Sequence, residues 1–184
     1  MQQQPAEITD ELILSAFGIE HTRQKAFGWL LDKYQKKTYW HIRRIVVSHD
    51  DADDVCQNTF IKVWENLHNF RSDSKLYTWL FRIATNESLT FLNKRKNNQS
   101  LDDTSPELLQ YLTHGSYFNG NQVELKLQQA VLTLPEKQRL VFNMKYFDHM
   151  KYEEMSEVLG TSVGALKASY HHAVKKIEEI VTRA

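Results

Sequence analysis

Aromatic rings alternate with cationic and amide side chains between residues 70 and 96, a combination that suits the binding of nucleobases. The rings are those of Tyr77, Trp79, Phe81 and Phe91, and the polar partners are Arg82, Asn86, Asn93, Lys94, Arg95 and Lys96. Rings can stack on exposed bases while cations follow the phosphates, so the pattern favours a single strand of nucleic acid as the ligand. Rings at helical spacing also fill protein cores, and for Trp79 and Phe91 we favour a core position.

Residues 151–176 have the pattern of two short helices around a tight turn. Gly160 stands where the end of the first helix needs a left-handed residue, and Thr161 or Ser162 can cap the second helix. The apolar face of the second helix comprises Val163, Leu166, Tyr170, Ala173, Val174, Ile177 and Val181, and the opposite face comprises Ser162, Lys167, Ser169, His171, His172, Lys175 and Lys176. This division is typical of a helix that reads the major groove, and the alternative is a helical hairpin with a solvated basic face.

No constellation of side chains indicates catalysis or a metal site. His49 precedes a run of aspartates, but acids at a helix start are explained by the helix dipole. His171 and His172 are adjacent, so they point away from each other on a helix and cannot chelate one ion. The sequence lacks a cysteine pair and a glycine-rich phosphate loop. We therefore expect a protein that is not an enzyme and has neither a cofactor nor a bound metal.

The charges balance overall but are segregated along the chain. The 184 residues include 23 Lys and Arg and 23 Asp and Glu, which argues against a purely electrostatic nucleic-acid binder. Basic residues outnumber acids in residues 21–50 and 71–100, whereas residues 1–20 and 101–124 contain acids but no lysine or arginine. Separate basic and acidic blocks favour more than one kind of partner.

Composition predicts an all-helical protein of the cytoplasm. The single cysteine, Cys56, excludes an internal disulfide and fits a reducing compartment, and its place in a helical pattern favours a small half-buried side chain over a nucleophile. No apolar run is long enough to span a membrane, and the acidic N-terminus is not a secretory signal. Glycine and proline are scarce, and the alternation of a strand is absent.

Helical spacing divides the first half into four predicted helices, at residues 8–20, 23–48, 51–67 and 75–96. Thr9 is the expected cap of the first. The outer face of the second bears Lys33, Lys36, Lys37, Arg43 and Arg44, for which a solvated face is one interpretation. In the third, Val55, Thr59, Val63 and Leu67 face inward, which leaves Asp54, Gln57, Asn58, Ile61, Trp64 and Glu65 on another face. Exposed Ile61 and Trp64 among polar residues favour a partner-binding surface, although Trp64 could equally be core.

The second half is predicted to be a separate unit after a linker. Residues 97–121 are rich in Asn, Ser, Asp, Thr, Pro and Gly, as in a flexible linker. Helices are expected at residues 123–133 and 136–147, with Pro135 in the first helical position of the latter. The predicted architecture is all-α, with helical domains at residues 8–96 and 122–184 joined by residues 97–121, the second being a four-helix unit with the helix-turn-helix.

Two segments resemble a known family. The stretch DADDVCQNTFIKVWENLHNF followed by SKLYTWLFRIATNESLTFLNKRK resembles region 2 of extracytoplasmic-function (ECF) sigma factors, a branch of the sigma-70 family. The stretch LTLPEKQRLVFNMKYFDHMKYEEMSEVLGTSVGALKASYHHAVKKI resembles their region 4. The resemblance implies a dissociable subunit that binds core RNA polymerase and directs promoter-specific initiation, melting the −10 element with region 2 and reading the −35 element with region 4.

The resemblance also implies roles for individual residues. The surface for the clamp helices of the largest polymerase subunit would comprise Asp54, Gln57, Phe60, Ile61, Trp64 and Glu65. Contacts to −10 DNA would come from Phe70, Arg71, Ser72, Lys75, Tyr77, Arg82 and Asn86. Contacts to −35 DNA would come from Ser162, Gly164, Ala165, Lys167, Ser169, His171, His172 and Lys175. Linker acids Asp102, Asp103 and Glu107 could mimic a nucleic-acid backbone within the polymerase cleft.

Departures from the family pattern and rival interpretations bear on this expectation. Many relatives carry arginines where this recognition helix has Ser169, His172 and Val174. One rival is a stand-alone helix-turn-helix regulator with a helical sensory domain, and another is a helical adaptor without nucleic acid. Family members are often inhibited by a membrane-bound anti-sigma factor, which is a further expected partner, and direct membrane insertion is not expected.

Overall fold

The computed structural model describes residues 8–98 and 122–183, which form eight α-helices and no strand. The helices are α1 (Asp10–Phe17), α2 (Arg23–Val46), α3 (His49–Asn66), α4 (Leu76–Asn98), α5 (Gln122–Leu132), α6 (Glu136–Tyr146), α7 (Tyr152–Leu159) and α8 (Val163–Arg183). Short 3-10 turns at Glu20–Thr22 and Leu67–Asn69 precede α2 and follow α3. The predicted all-α class is confirmed for these residues, and the linker acids lie outside them.

Hydroxyl caps fix where the first helices begin. Thr9 Oγ1 accepts a hydrogen bond of 3.2 Å from the Leu12 N–H, as the sequence predicted. Ser48 Oγ accepts one of 3.3 Å from the Asp51 N–H, so α3 begins two residues earlier than predicted. The chain reverses just before that cap, at Val47, whose φ of 70° ends α2.

The first four helices enclose the larger apolar core. Its members include Ile13, Phe17, Leu30, Ile42, Val55, Val63, Leu76 and Leu80, all at most 3% exposed. The predicted inward stripe of α3 is buried throughout, from Val55 to Leu67. Burial of these side chains fixes the rotation of α3, and that rotation decides which residues its outer face presents.

The last four helices have a small core of their own. Ala130, Val131, Leu134, Phe142, Ala173 and Ile177 form it, from α5, the turn after α5, α6 and α8. The sequence predicted that Pro135 is the first helical residue of α6, whereas it is the N-cap, with an extended ψ of 142°. Its carbonyl accepts a hydrogen bond from the Arg139 N–H. Its missing N–H therefore still leaves no helical hydrogen bond unmade.

A third core is shared between the two halves of the chain. Ile45 of α2 and Phe81 of α4 pack with Leu140, Val141, Met144, Met150, Met155, Val158 and Leu166 of the second half. Phe81 is 1% exposed, and Met144, Met155 and Leu166 are at most 1% exposed. The sequence predicted two helical domains joined by a linker, and the core that they share is an addition that helical periodicity could not reveal.

The shared core changes the environment of the charged face of α2. Lys36 and Lys37 are exposed, as a solvated face requires. Arg43 is only 8% exposed, and Arg44 forms an ion pair of 3.0 Å with Asp148. The interpretation as a solvated face is therefore wrong for Arg43, which is buried, and for Arg44, because the turn before α7 packs against it.

Candidate nucleic-acid and partner interfaces

A groove of about 760 Å³ runs between α2 and α3. Its wall on α2 includes Phe27, Leu31, Lys36 and Tyr39, and its wall on α3 includes Asp53, Asp54, Cys56, Gln57, Phe60, Ile61 and Trp64. Ile61 is 49% exposed, although isoleucine is usually buried. The groove thus combines an apolar floor with a rim of carboxylates, amides and a lysine, which suits a helical partner with an apolar stripe.

Trp64 is both packed and exposed. Its ring meets Phe17 at 5.3 Å and Phe27 at 5.1 Å between centroids, both edge to face. The side chain nevertheless remains 37% exposed. The two interpretations of Trp64 therefore both hold: two core rings fix its orientation while part of the indole faces the groove.

Cys56 lies on the floor of this groove as an unreactive thiol. It is 6% exposed and is not in a disulfide. Burial, with a smaller contribution from the nearby Asp53 carboxylate, raises the pKa of Cys56 to about 11. Because the thiolate is the nucleophilic form, the predicted structural role of Cys56 fits its environment.

The loop before α4 presents polar side chains to solvent. Arg71, Ser72 and Lys75 are exposed, and Ser72 has a left-handed φ of 59°. The Phe70 ring lies 5.4 Å from that of Trp79, so Phe70 anchors the start of the loop to the core. The half-buried positions of Trp79 and Phe91 against the same core agree with the core positions that the sequence favours.

Only part of the predicted −10 set shares one face of α4. Arg82 and Asn86 are exposed and four residues apart, so they are neighbours on the helix surface. Tyr77 lies toward the second half of the chain, half-buried, with its ring 4.1 Å from that of Phe81. Because Phe81 is buried in the shared core, its ring is not available to stack on a base, contrary to the sequence-based expectation.

The helix-turn-helix has the geometry that its sequence predicted. Gly160 adopts φ 61° and ψ 28°, and its N–H donates to the Ser156 carbonyl. Of the two candidate caps, Ser162 accepts the hydrogen bond, from the Ala165 N–H at 3.3 Å, whereas the Thr161 hydroxyl donates to the Leu159 carbonyl. These bonds define where α7 ends and where α8 begins.

The predicted reading face of α8 is turned to solvent. Its exposed members are Ser162, Gly164, Ala165, Lys167, His171, His172 and Lys175, and Ser169 is partly exposed. Leu166, Ala173 and Ile177 are buried on the opposite side. Lys167 Nζ lies 5.7 Å from the centroid of the Tyr152 ring, a cation–π contact that orients the amine.

Within the described ranges, no three acidic, histidine or cysteine side chains are grouped to hold a metal ion. In the same residues, no helix combines the length and apolarity needed to cross a membrane.

Comparisons with known proteins identify the family. The family model described as Sigma-70 region 2 matches residues 30–98, and the one described as Sigma-70, region 4 matches residues 124–177. The ECF RNA polymerase sigma factor SigW of Bacillus subtilis is 32% identical over 158 residues, which cover 80% of this chain and 84% of that protein. The chain belongs to the ECF sigma factors of the sigma-70 family.

Other relatives extend the match over nearly the whole sigma factor. The ECF RNA polymerase sigma-E factor of Salmonella typhimurium is 30% identical over 185 residues, which cover 95% of each chain. The sigma factor RpoE of Bartonella quintana, solved in complex with the anti-sigma factor NepR, has the same fold, with a TM-score of 0.70 and 21% identity over 86% of this chain and 98% of that one. The family, the fold class and the role in promoter-directed initiation by RNA polymerase are those that the sequence predicted.

Three polar residues between the two halves were missed by sequence reasoning: His41, Asn143 and Asp148. His41 lies three residues after Thr38 and four before Ile45, so helical spacing could have placed it on the buried face of α2. No local signal connects it to Asp148, because the two residues are 107 positions apart.

Proposed function

We propose that the groove between α2 and α3 is the surface that binds the clamp helices of the largest subunit of core RNA polymerase. Ile61 and Trp64 supply the apolar contact, because they remain exposed in a helix whose other apolar residues are buried. The partner would also meet Asp54 and Gln57 on the polar rim, with Phe60 beneath, and the exposed Glu65, which follows Trp64 outside the groove lining.

The −10 element is assigned to the loop before α4 and to the exposed face of that helix. Arg71, Ser72, Lys75, Arg82 and Asn86 supply cations, a hydroxyl and an amide that can bind phosphates and base edges. Extruding a base costs a few kcal/mol, and a pocket of hydrogen-bonding and stacking groups offsets that cost. Phe70 and Tyr77 belong to the −10 set that the family resemblance implies and are partly exposed, so they are the assigned stacking partners.

The −35 element is assigned to α8, in the major groove of duplex DNA. Ser162, Lys167, His171, His172 and Lys175 are the exposed side chains long enough, or placed early enough in the helix, to reach bases or phosphates. Gly164 and Ala165 allow the backbone to approach the DNA closely. The face carries few cations, so most of the DNA affinity of the initiation complex would come from polymerase.

The domain assignment follows from these surfaces. Residues 8–96 would act as region 2, residues 122–184 as region 4, and residues 97–121 as the linker between them. We assign the sigma factor no catalytic residue, cofactor or metal, and we place it in the cytoplasm with polymerase and DNA.

An anti-sigma factor is a further proposed partner. The Bartonella quintana RpoE structure is a complex with such a protein, and this chain has the same fold. Co-purification of the full chain from cells before and after envelope stress tests the proposal. We expect a membrane-associated partner to be bound before stress and released afterwards. Absence of a membrane-associated partner in both samples would contradict the proposal.

Reconstituted initiation tests the main proposal. The chain is added to core RNA polymerase on a promoter library, and the 5′ ends of the transcripts are sequenced, with core polymerase alone as the control. Specific transcripts that share two upstream motifs are expected. Duplex binding without core polymerase, and without transcripts, would favour the stand-alone regulator. Absence of both transcripts and duplex binding would favour the adaptor.

A further inference from the structure

The arrangement of the two halves has a functional consequence that builds on the surfaces assigned above. We infer that the free sigma factor adopts a closed arrangement, kept in place by Asp148, that pairs Lys75 with Glu154 and covers Tyr77 of the −10 surface but leaves the −35 surface open. Capture of the −10 strand would then require the two halves to separate, whereas duplex reading by α8 would not.

Asp148 makes the central contact of this closed arrangement. Its Oδ2 lies 2.7 Å from His41 Nδ1, and its Oδ1 accepts a hydrogen bond of 3.0 Å from Arg44 Nη1. A carboxylate can only accept, so Nδ1 carries the hydrogen in the bond from His41. His41 Nε2 lies 2.8 Å from Thr85 Oγ1, which connects the contact to α4.

Burial makes the Asp148 contact specific. The Asp148 side chain is 5% exposed and that of His41 is fully buried. A carboxylate at such a site is stable only while charged and hydrogen-bonding partners face it, because burial of an unpaired charge costs several kcal/mol. The site is therefore complete only when the two halves are together.

The turn between α6 and α7 presents Asp148 in a fixed orientation. The backbone N–H groups of Phe147 and Asp148 both donate to the Asn143 carbonyl, and the Met150 N–H donates to the Met144 carbonyl. The turn is also bound across the interface, because Asn143 Nδ2 donates to the Arg44 carbonyl at 3.2 Å. The Arg44 guanidinium lies over the Phe147 ring at 4.6 Å.

A second contact places a carboxylate against a residue assigned to DNA. Glu154 Oε1 accepts a hydrogen bond of 2.8 Å from Lys75 Nζ, and Oε2 accepts one of 2.9 Å from the Lys151 N–H. Burial opposes ionisation of Glu154, but these two bonds and the nearby charges hold its pKa below the usual value. Glu154 thus occupies the position in which a DNA phosphate would meet Lys75.

Tyr77 is covered by the same turn. Its hydroxyl donates to the Asp148 carbonyl at 3.4 Å, and its ring packs on that of Phe81 in the shared core. By contrast, Lys167, His171, His172 and Lys175 are exposed, as are Ile61 and Trp64 of the groove. The closed arrangement therefore engages two residues of the −10 surface, Lys75 and Tyr77, and leaves the other two surfaces exposed.

The two polar contacts differ in what they contribute. Lys75 is 65% exposed, and pairs of this kind contribute little to stability. The buried Asp148 contact is the stronger determinant of closure, and the Lys75–Glu154 pair is a convenient reporter of it. A closed state that excludes a ligand multiplies the apparent affinity by the fraction of molecules that are open.

Zero-length crosslinking with a carbodiimide measures closure in the full chain. The reagent activates a carboxylate, which forms an amide with an amine in contact with it, so Lys75 and Glu154 should become joined. Lys62 and Glu87 provide an internal control, because their 2.6 Å pair lies within the first half and has similar exposures of 52% and 18%, against 65% and 15%. Both crosslinks are quantified by mass spectrometry.

We expect both crosslinks in the free chain. In the open complex with core polymerase and promoter DNA, we expect the Lys75–Glu154 crosslink to disappear and the Lys62–Glu87 crosslink to remain. Formation of the Lys62–Glu87 crosslink alone in the free chain would overturn the inference, and so would an equal yield of the Lys75–Glu154 crosslink in a transcribing complex. The same reactions report transcription, so normal initiation without the crosslink contradicts closure and leaves the proposed function intact.

A variant pair separates the Asp148 contact from the fold. Asp148→Asn should lower the ratio of closed to open molecules about tenfold, which corresponds to about 1.4 kcal/mol. The control is Asp10→Asn, whose carboxylate accepts from Lys33 and Tyr34 within the first half. A Lys75–Glu154 yield that falls equally in both variants would contradict the role of Asp148, and the measurement on the unmodified chain stands even if a variant folds poorly.

Discussion

His41 Nδ1 and Asp148 Oδ2 lie 2.7 Å apart across 107 residues of sequence, and both side chains are buried where the two halves of the sigma factor meet. The pair joins the last turns of α2 to the turn before the helix-turn-helix. It gives the C-terminal half a defined position relative to the −10 surface.

Loss of the Asp148 carboxylate should destabilise the closed protein. We expect Asp148→Ala to lower the free energy of unfolding by about 2 kcal/mol, because it removes the acceptor that the buried His41 ring faces. Urea denaturation followed by circular dichroism measures the change. A difference within about 0.5 kcal/mol of the unmodified chain, the range of ordinary surface substitutions, would show that the contact contributes little.

Polymerase binding should depend on Ile61 and not on apolar exposure in general. We expect Ile61→Asp to weaken binding to core polymerase at least about tenfold, since an apolar residue near the centre of an interface contributes more than about 1 kcal/mol. Ile19→Asp is the matched control, because both isoleucines are 49% exposed and Ile19 lies outside the groove. Equal effects of the two substitutions in a competition assay would argue against the groove as the binding site.

Phosphate binding by α8 should appear in the salt dependence of promoter affinity. We expect Lys167→Ala and Lys175→Ala to weaken promoter binding and to reduce the salt slope by about one unit for each phosphate that the variant no longer neutralises. Lys37→Ala is the control, since Lys37 is exposed on α2, away from this face. Holoenzyme binding is titrated at several salt concentrations, and unchanged slopes would remove these lysines from the DNA interface.

Two glycines around the helix-turn-helix should respond in opposite ways to alanine. Gly160 has a φ of 61°, so Gly160→Ala should cost about 1 kcal/mol of stability. Gly164 is helical, and a Cβ there meets nothing within 4 Å, so Gly164→Ala should stabilise α8 by up to about 1 kcal/mol. If the backbone approaches DNA at Gly164, the same variant should weaken −35 binding despite its greater stability. Thermal unfolding and duplex binding of the holoenzyme separate the two effects.

The thiol in the groove should be nearly inert at neutral pH. Burial and Asp53 raise the pKa of Cys56 from 9.0 to about 11, so below pH 9.0 the folded chain holds about a hundredfold less thiolate than an unperturbed cysteine. Alkylation by iodoacetamide at about pH 8 should therefore be slower by about that factor in the native chain than in urea, and should accelerate as the pH rises toward 11. Equal rates in both states would contradict the buried environment.

Local patterns were sufficient for much of this protein. The apolar stripes, the Thr9 cap, the left-handed Gly160 and the polar face of α8 all depend on residues within one or two turns of each other. Their physical causes are equally local, which is why helices, the helix-turn-helix and the exposed face of α3 could be predicted. Errors at this level were small: for example, Pro135 was predicted to be the first residue of α6 and is its N-cap.

The tertiary structure alone decided which of these residues lie between the two halves. Arg44 and Phe81 have side chains typical of a charged or nucleic-acid-binding face, yet Phe81 is buried and Arg44 is paired with Asp148. The reason is that burial at the shared core depends on contacts between residues far apart in the sequence, and helical periodicity contains no information about such pairs. The sequence by itself determined the family, the helices and the faces they present. Only the packing of the two halves decided that Lys75 meets Glu154 and that Asp148 meets His41.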